Sequence, residues 1–351
     1  MYHAVQVIES VDYFYLGEIF IIKKGKEIYL NGKKESIDYA NYISKGIIQY
    51  SVNDSYFLQF LDENFYKRIP GLLNSFGTQK EFYFYITNTF FERSSGKILY
   101  SLNIYNILNE ESFKIFENVS INILDYSQNH SLLFYYNLNN TIAAFNIEKK
   151  ETIWETNIMN ILGVSKSEKI EALHLTKVFG ILKENLWLSF EFHYIIGLSI
   201  IDGEILFSFN INDLLPPENK YRWLFPHFDE DAGTISYCES NAYFVLDLKT
   251  LKVIDFHSFI IPDKSNQWTI VSCTMDDNFV YFNGNLGGSF FSPSAVGIFD
   301  RHKKEVVWYE DLKLYEQDQY RFINHPPQYG GGKLYVHDSK GTLYIYERED
   351  L

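Results

Sequence analysis

Apolar and polar positions along this chain repeat one unit: strand, tight turn, strand, polar turn, strand. The clearest copy runs from Leu132 to Ile158. Leu132-Leu133-Phe134-Tyr135-Tyr136 has the aromatic, apolar character of a strand, Asn137-Leu138-Asn139-Asn140 is a turn, and Thr141 to Ile147 is a second strand. Glu148-Lys149-Lys150-Glu151 turns the chain again, and Thr152-Ile153-Trp154-Glu155-Thr156 is the third strand. Related copies run from Leu186 to Phe207 with the turn Ile201-Asp202-Gly203, from Thr234 to Phe256 with Lys249-Thr250-Leu251-Lys252, and from Phe279 to Trp308 with Arg301-His302-Lys303-Lys304. Upstream, Phe82 to Tyr85 leads to Phe90-Phe91-Glu92 and, past Ser94-Ser95-Gly96-Lys97, to Ile98-Leu99-Tyr100. The polar turns fall near positions 95, 149, 202, 249 and 303. That spacing is close to the ~40–50 residues of a four-stranded propeller blade.

The last copy, Lys333 to His337, Asp338-Ser339-Lys340-Gly341 and Thr342 to Tyr346, is one strand short. An unpaired edge invites association, so another strand is expected to cover it. Ala4-Val5-Gln6-Val7-Ile8, within residues 1–10, is the expected closing strand. In the N-terminal third, Glu18 to Ile22 with Glu27 to Leu30 reads as a hairpin, and Ile47 to Ser51, Tyr56 to Leu61 and Phe65 to Ile69 read as one further blade. Helical turns are expected over Ser36 to Ile43, stopped by Gly46, and over Ser167 to Leu173. The expected fold is all-β: a single β-propeller domain over residues 1–351 with seven four-stranded blades, six or eight also being compatible with the spacing.

At 351 residues the chain exceeds an ordinary single core, but repeat folds escape that limit because each unit packs only on its neighbours. Hydrophobic residues at 46% and aromatics at 18% supply a large core, which argues against general disorder. A formal charge of −14 points away from nucleic acid and anionic membranes; it would steer a basic protein partner to this surface, and the competing reading is that the acidity serves only to keep the protein soluble. Cys238 and Cys273 each lie in an apolar run and are expected as free thiols rather than a disulfide. Met1-Tyr2-His3-Ala4-Val5 lacks the basic and apolar regions of a signal peptide, and no stretch approaches the ~18 apolar residues of a membrane span. A cytoplasmic, soluble protein is therefore expected.

Ala143-Ala144-Phe145-Asn146 before Trp154, and Gly297-Ile298-Phe299-Asp300 before Trp308, share a pattern: a small residue, an apolar run, Asn or Asp, a polar turn, then a strand bearing Trp. Leu246-Asp247-Leu248-Lys249-Thr250 and Ser95-Gly96-Lys97 match it in part. The pattern resembles the repeat of PQQ-like and WD40-like β-propellers. The resemblance implies a propeller and little about chemistry, because fold does not imply function. Likeness to the quinone-dependent dehydrogenases of that group would imply an export signal, a vicinal disulfide and a calcium site. This chain has no adjacent cysteines, and the Trp-Asp dipeptide of WD40 repeats is missing.

Nine histidines are scattered without His-x-His or His-Glu-x-x-His spacing, so structural or solvated roles are expected. Phe228-Asp229-Glu230-Asp231-Ala232-Gly233 offers oxygens suited to calcium but not the full ligand pattern, and reads better as a solvated acidic turn. Asp276-Asp277-Asn278 reads as a turn. Gly330-Gly331-Gly332, with no helix after it, reads as a flexible inter-strand loop. Neither a Ser-based nucleophile elbow nor a phosphate-binding Gly loop is present. No catalytic residue, metal or cofactor is expected.

One internal echo carries more. Tyr221-Arg222-Trp223-Leu224-Phe225-Pro226-His227 resembles Tyr320-Arg321-Phe322-Ile323-Asn324-His325-Pro326. Each follows the last strand of one unit and leads into the next, and Pro216-Pro217 and Pro326-Pro327 stiffen these connections. Tyr, Arg and Trp are enriched at binding hot spots. Trp268 occupies a comparable place, and the long hairpin from Asn283 to Ser294, with Gly287-Gly288 and Phe290-Phe291, is a further contact candidate. The expected partner-binding residues are Tyr221, Arg222, Trp223, His227, Trp268, Tyr320, Arg321, Phe322 and His325. The competing reading is that these aromatics only pack between blades.

These features point to a non-catalytic, protein-binding propeller. Its concrete form is an acidic inhibitor or immunity-type protein that neutralises a basic partner such as a toxin. The rival is an enzyme or small-ligand binder using Arg222, Arg321, His227 and His325 around a polar or anionic ligand at the mouth of a central channel. A third reading is a scaffold subunit of a larger complex.

Overall fold

A computed structural model describes residues 2–16, 21–25, 27–44, 47–53, 55–60, 65–69, 82–92, 97–106, 109, 111–137, 139–159, 173–191, 193–214, 227–229, 231–239, 242–259, 268–286, 292–318 and 320–348. The chain divides into two units, Met1–Asp38 with Leu214–Leu351, and Tyr39–Asp213.

In chain order, β1 (Tyr2–Ile8) belongs to the last sheet, and β2 (Tyr13–Tyr15), β3 (Ile21–Lys24), β4 (Glu27–Leu30) and β5 (Lys33–Glu35) form a sheet of their own. The second unit holds four sheets among its described residues. The first contains β6 (Tyr39–Ser44), β7 (Ile47–Val52), β8 (Ser55–Phe60) and β9 (Phe65–Ile69), and the next contains β10 (Phe82–Glu92), β11 (Lys97–Asn106) and β12 (Ser112–Val119). The other two are β13 (Ile121–Ser127), β14 (Leu132–Asn137), β15 (Thr141–Asn146) and β16 (Glu151–Asn157), then β17 (Leu175–Leu182), β18 (Asn185–Phe190), β19 (Tyr194–Ser199) and β20 (Ile205–Asn210). The first unit continues with β21 (His227–Asp229), β22 (Thr234–Glu239), β23 (Ala242–Asp247) and β24 (Lys252–Ser258), followed by β25 (Trp268–Met275), β26 (Phe279–Leu286), β27 (Ala295–Asp300) and β28 (Glu305–Asp311). A one-turn helix α1 (Leu314–Gln317) precedes β29 (Gln328–Gly330), β30 (Lys333–His337) and β31 (Leu343–Arg348).

Every sheet is an antiparallel meander of consecutive strands, with one exception. β31 pairs with β1 from Tyr2↔Arg348 to Ile8↔Leu343, through a bulge between Ala4 and Gln6. The N-terminal strand thus covers the edge that the sequence left open, as expected.

Why the second and third strands of each sheet read as nearly unbroken apolar runs is visible in β14 and β15. Leu132, Phe134, Tyr136, Ile142 and Ala144 face the sheet β17–β20. Leu133, Tyr135, Ala143 and Phe145 face the sheet β10–β12. Side chains alternate across a strand, so a sheet buried on both faces needs apolar residues at every position. The fourth strand is half-uncovered and alternates: β28 runs exposed, intermediate, exposed along Glu305–Asp311. In the first unit the same logic packs Tyr281, Val296 and Ile298 against Val336 and Tyr346. Each fully buried residue of this size contributes roughly 1.5–3 kcal/mol.

The described residues form eight sheets, seven with four strands and one with three. The sequence pattern yields seven, one fewer, because the sheet β2–β5 escapes it. β2 and β5 have only three residues each, too few to show a period. The turn near 95 joins the first two described strands of its sheet, whereas those near 149, 202, 249 and 303 join the third and fourth, so β12 and β13 fall between marks.

Three local expectations are corrected. Tyr39–Ser44 is strand β6, paired with β7 from Tyr39↔Ser51; a ladder with a neighbouring strand prevails over a short isolated helical turn, whose nucleation is unfavourable. Phe82–Glu92 is a single strand with a register shift between Thr87 and Phe90, not two strands. Gly330 lies in β29, and Gly331 (φ 59°) and Gly332 (φ 77°) form the two-residue turn into β30. Two successive positive φ values are what a tight hairpin of this kind demands, so the glycines make a defined turn rather than a loose loop. The helical turn expected over Ser167 to Leu173 lies, apart from Leu173, outside the described residues. Cys238 is buried, Cys273 is partly buried, and both are free thiols in the core between β21–β24 and β25–β28.

Candidate functional site

The connection from β28 to β29, residues 312–327, holds four of the expected partner-binding residues. Its course follows from its anchors. Leu314 in α1 is fully buried against Ile323 and the β26–β27 and β30–β31 strands. Asp318 then turns the chain, its carboxylate accepting from the Tyr320 amide (2.9 Å) and pairing with Lys340 Nζ (2.8 Å). Ile323, also buried, donates its amide to the Pro293 carbonyl (2.8 Å).

The connection is fastened to the turn between β30 and β31. Ser339 donates its amide to the Phe322 carbonyl (2.8 Å), and its hydroxyl donates to the Tyr320 carbonyl (3.0 Å) and accepts from the Phe322 amide (3.2 Å). At the centre, Arg321 meets the fully buried Asp338: Nε and Nη2 lie 2.8 and 2.7 Å from Oδ2. Nη2 also donates to Thr342 Oγ1 (2.8 Å) and Tyr344 OH (2.9 Å). Asp338 Oδ1 accepts from the Lys340 and Thr342 amides (2.9 and 3.0 Å), so the carboxylate closes its own turn as well. Burial and the Asp338 charge push the Tyr344 phenol up to about 12, keeping it a neutral donor.

Tyr320, Arg321, Phe322 and His325 therefore share one fastened segment, with different surroundings. Tyr320 is 70% exposed. Arg321 is committed to Asp338, and Phe322 is half-buried. His325 is exposed and stacks parallel to His337 at 5.7 Å. Trp268 lies elsewhere: it is buried at the start of β25, edge-on to Phe282 (5.2 Å) and Tyr309 (5.3 Å), a packing position. His227 opens β21 and is exposed. Tyr221, Arg222 and Trp223 lie outside the described residues, as does 287–291 of the long hairpin.

Sequence reading missed Asp338, Lys340, Thr342 and Tyr344, which organise this segment. The signal was present in Asp338-Ser339-Lys340-Gly341, read only as a turn. Asp229 accepts from the Ala232 amide (2.9 Å) and so caps its own acidic turn. Among the described residues no three His, Cys, Asp or Glu side chains converge to hold a metal ion.

Desolvation holds His193, His257 and His325 below the ordinary imidazole range, with Lys304 adding to the effect at His257 and His337 at His325. The unfolded chain therefore binds these protons at a higher pH than the folded one. Stability is complete above the unfolded value of ~6.5 and is lost as pH falls from there through the depressed folded values. Asp247, held down chiefly by the Thr250 amide, loses its contribution only in a separate, more acidic window. The urea midpoint is expected to be lower at pH 5.5 than at pH 7.5, with part of the difference removed in His257→Gln; a flat profile across that interval would overturn the assignment.

No protein-family model matches the chain, and no curated protein matches its sequence. Among the described residues no helix is long and apolar enough to cross a membrane. Solved structures resemble it in fold. BamB from Moraxella catarrhalis is 10% identical with a TM-score of 0.52, over 99% of this chain and 100% of that one. Saccharomyces cerevisiae Sqt1 is 10% identical with a TM-score of 0.51, over 99% and 98%. A computationally designed protein, Ika8, is 9% identical with a TM-score of 0.50, over 98% of each chain. BamB is a PQQ-like propeller and Sqt1 a WD40 propeller. Likeness at such identity establishes the fold alone: this chain has an all-β, propeller-type fold, and the eight sheets among its described residues fit eight blades.

Proposed function

We propose that this propeller binds another protein of basic character and carries out no catalysis. The observation that carries the reading is the acidic excess, −14 over the whole chain, on a rigid scaffold whose fastened connection presents Tyr320 at 70% exposure. Acidic surfaces steer basic partners, and tyrosine supplies rigid contact area with a polar tip. The finer form is an inhibitor or immunity-type protein that neutralises a basic toxin in the cytoplasm. Tyr320, Phe322, His325 and His227 are the described residues assigned to the interface, with Tyr221, Arg222 and Trp223 on the echoing connection.

Affinity capture from the native host, at two salt concentrations and with Tyr320→Ala as control, tests this. One stoichiometric basic protein is expected. Its capture should weaken by about tenfold in the control, as for a hot-spot residue, and fall steeply when salt is raised several-fold from about 0.05 M. Capture of no basic protein, or of one indifferent to both salt and Tyr320→Ala, would sink the reading.

A further inference from the structure

Within the first unit, a cavity of about 380 Å³ opens where β25–β26, β29 and the end of β2 come together. Its walls include Tyr281 and Tyr329, whose rings stack at 4.6 Å with 10° between their planes. Asp276 lines it beside them, with Gln328, Met275 and Leu16. We propose that this cavity receives the guanidinium of an arginine side chain from a basic protein partner, an inference that rests on the protein-binding reading above.

Three features select that ligand. First, the cavity pairs a carboxylate with aromatic rings, and no Lys, Arg or His is among its lining residues. The nearby Arg301 guanidinium is held instead by the Asp276 backbone carbonyl, Tyr243 OH and Ser236. Second, the Asp276 carboxylate retains acceptor capacity. Oδ1 takes the Asn278 and Phe279 amides (2.9 and 2.8 Å), and Oδ2 takes the Tyr281 hydroxyl (2.8 Å). Of about four lone-pair sites on a carboxylate, one on Oδ2 is left for an incoming N–H. Third, the half-buried Tyr329 ring, stacked on the buried Tyr281, gives the cavity an aromatic wall that attracts a cation. Burial and Asp276 keep the Tyr281 phenol protonated, well above its ordinary range. A planar, weakly hydrated guanidinium suits a tyrosine wall and a single carboxylate oxygen better than a strongly hydrated ammonium does.

The test is isothermal titration of the full chain with N-acetyl-arginine amide and with its uncharged isostere, N-acetyl-citrulline amide. The arginine probe should bind at least about tenfold more tightly. Asp276→Asn should abolish the preference, and Tyr329→Leu, which leaves the Asp276 turn intact, should weaken arginine binding by about fivefold. Equal binding of the two probes, or an arginine preference unchanged in a folded Tyr329→Leu protein, overturns the proposal. The two readings fail separately. A basic partner whose capture ignores Tyr329→Leu keeps the protein-binding function and removes this cavity as its anchor. A Tyr329-dependent arginine preference with no captured partner keeps the cavity and removes that function.

Discussion

Asp338→Ala is expected to lower folding stability by about 3–5 kcal/mol, the range for breaking a buried ion pair from one side. Asp338 is fully buried, and its two oxygens take five donors: two arginine N–H groups, two backbone amides and the Tyr344 hydroxyl (3.2 Å). Alanine leaves the Arg321 guanidinium, only 19% exposed, without its counter-charge. It also opens the turn between β30 and β31. Asp338→Asn should cost less, because an amide oxygen can still close the turn. The decisive comparison is a double-mutant cycle in urea. Arg321→Met alone strands the carboxylate; Arg321→Met with Asp338→Asn removes both charges and should recover at least ~1 kcal/mol relative to the sum of the single losses. Additive losses, or a single loss below about 1 kcal/mol for Asp338→Ala, would show that the pair does not hold the connection. The result bears on function as well. Arg321 sits beside the exposed Tyr320, so a variant of Arg321 that weakens partner capture acts through the position of Tyr320, and restored stability without restored capture would show direct contact.

That distinction was out of reach for the sequence. Tyr320-Arg321-Phe322 was noticed because it echoes Tyr221-Arg222-Trp223, and a segment of hot-spot residue types looks the same whether its arginine faces solvent or a buried carboxylate. Only the return of the chain 17 positions later brings Asp338 to Arg321. The repeat itself was legible, because a sheet covered on both faces must be apolar at consecutive positions, as in Leu132–Asn137 and Thr141–Asn146. The closing strand was legible for a related reason: an open edge on β31 demanded a partner. First strands were not. β2, β21 and β29 are three residues long, so their identity lies in what they pair with rather than in their pattern. The arginine-accepting cavity was hidden in the same way, since Asp276 and Tyr281 read as a turn and a strand, and Tyr329 reaches them from 48 positions away.

Trp154→Ala is expected to cost about 3–5 kcal/mol. Gly203→Ala is expected to cost about 2–4 kcal/mol, from left-handed strain and overpacking. The two losses should not add. Trp154, 9% exposed in the fourth strand of its sheet, donates its indole N–H to the Ile200 carbonyl (3.0 Å) in the turn between β19 and β20. Thr156, two residues on, donates its hydroxyl to the Gly203 carbonyl (2.7 Å) in the same turn. Gly203 has φ +73°, and a Cβ there would lie 2.4 Å from the indole ring and 2.7 Å from Thr156 Oγ1. The tryptophan that marks the repeat in sequence is thus a clasp onto the neighbouring sheet, and the glycine of Ile201-Asp202-Gly203 is what lets the indole in. Removing the indole empties the space that the added methyl would invade. The double variant should then lose less than the sum of the singles by about 1–2 kcal/mol, the backbone strain alone surviving. Urea unfolding of the four proteins reads this directly. Strict additivity would mean that the methyl and the indole never compete, and that the glycine serves only the turn.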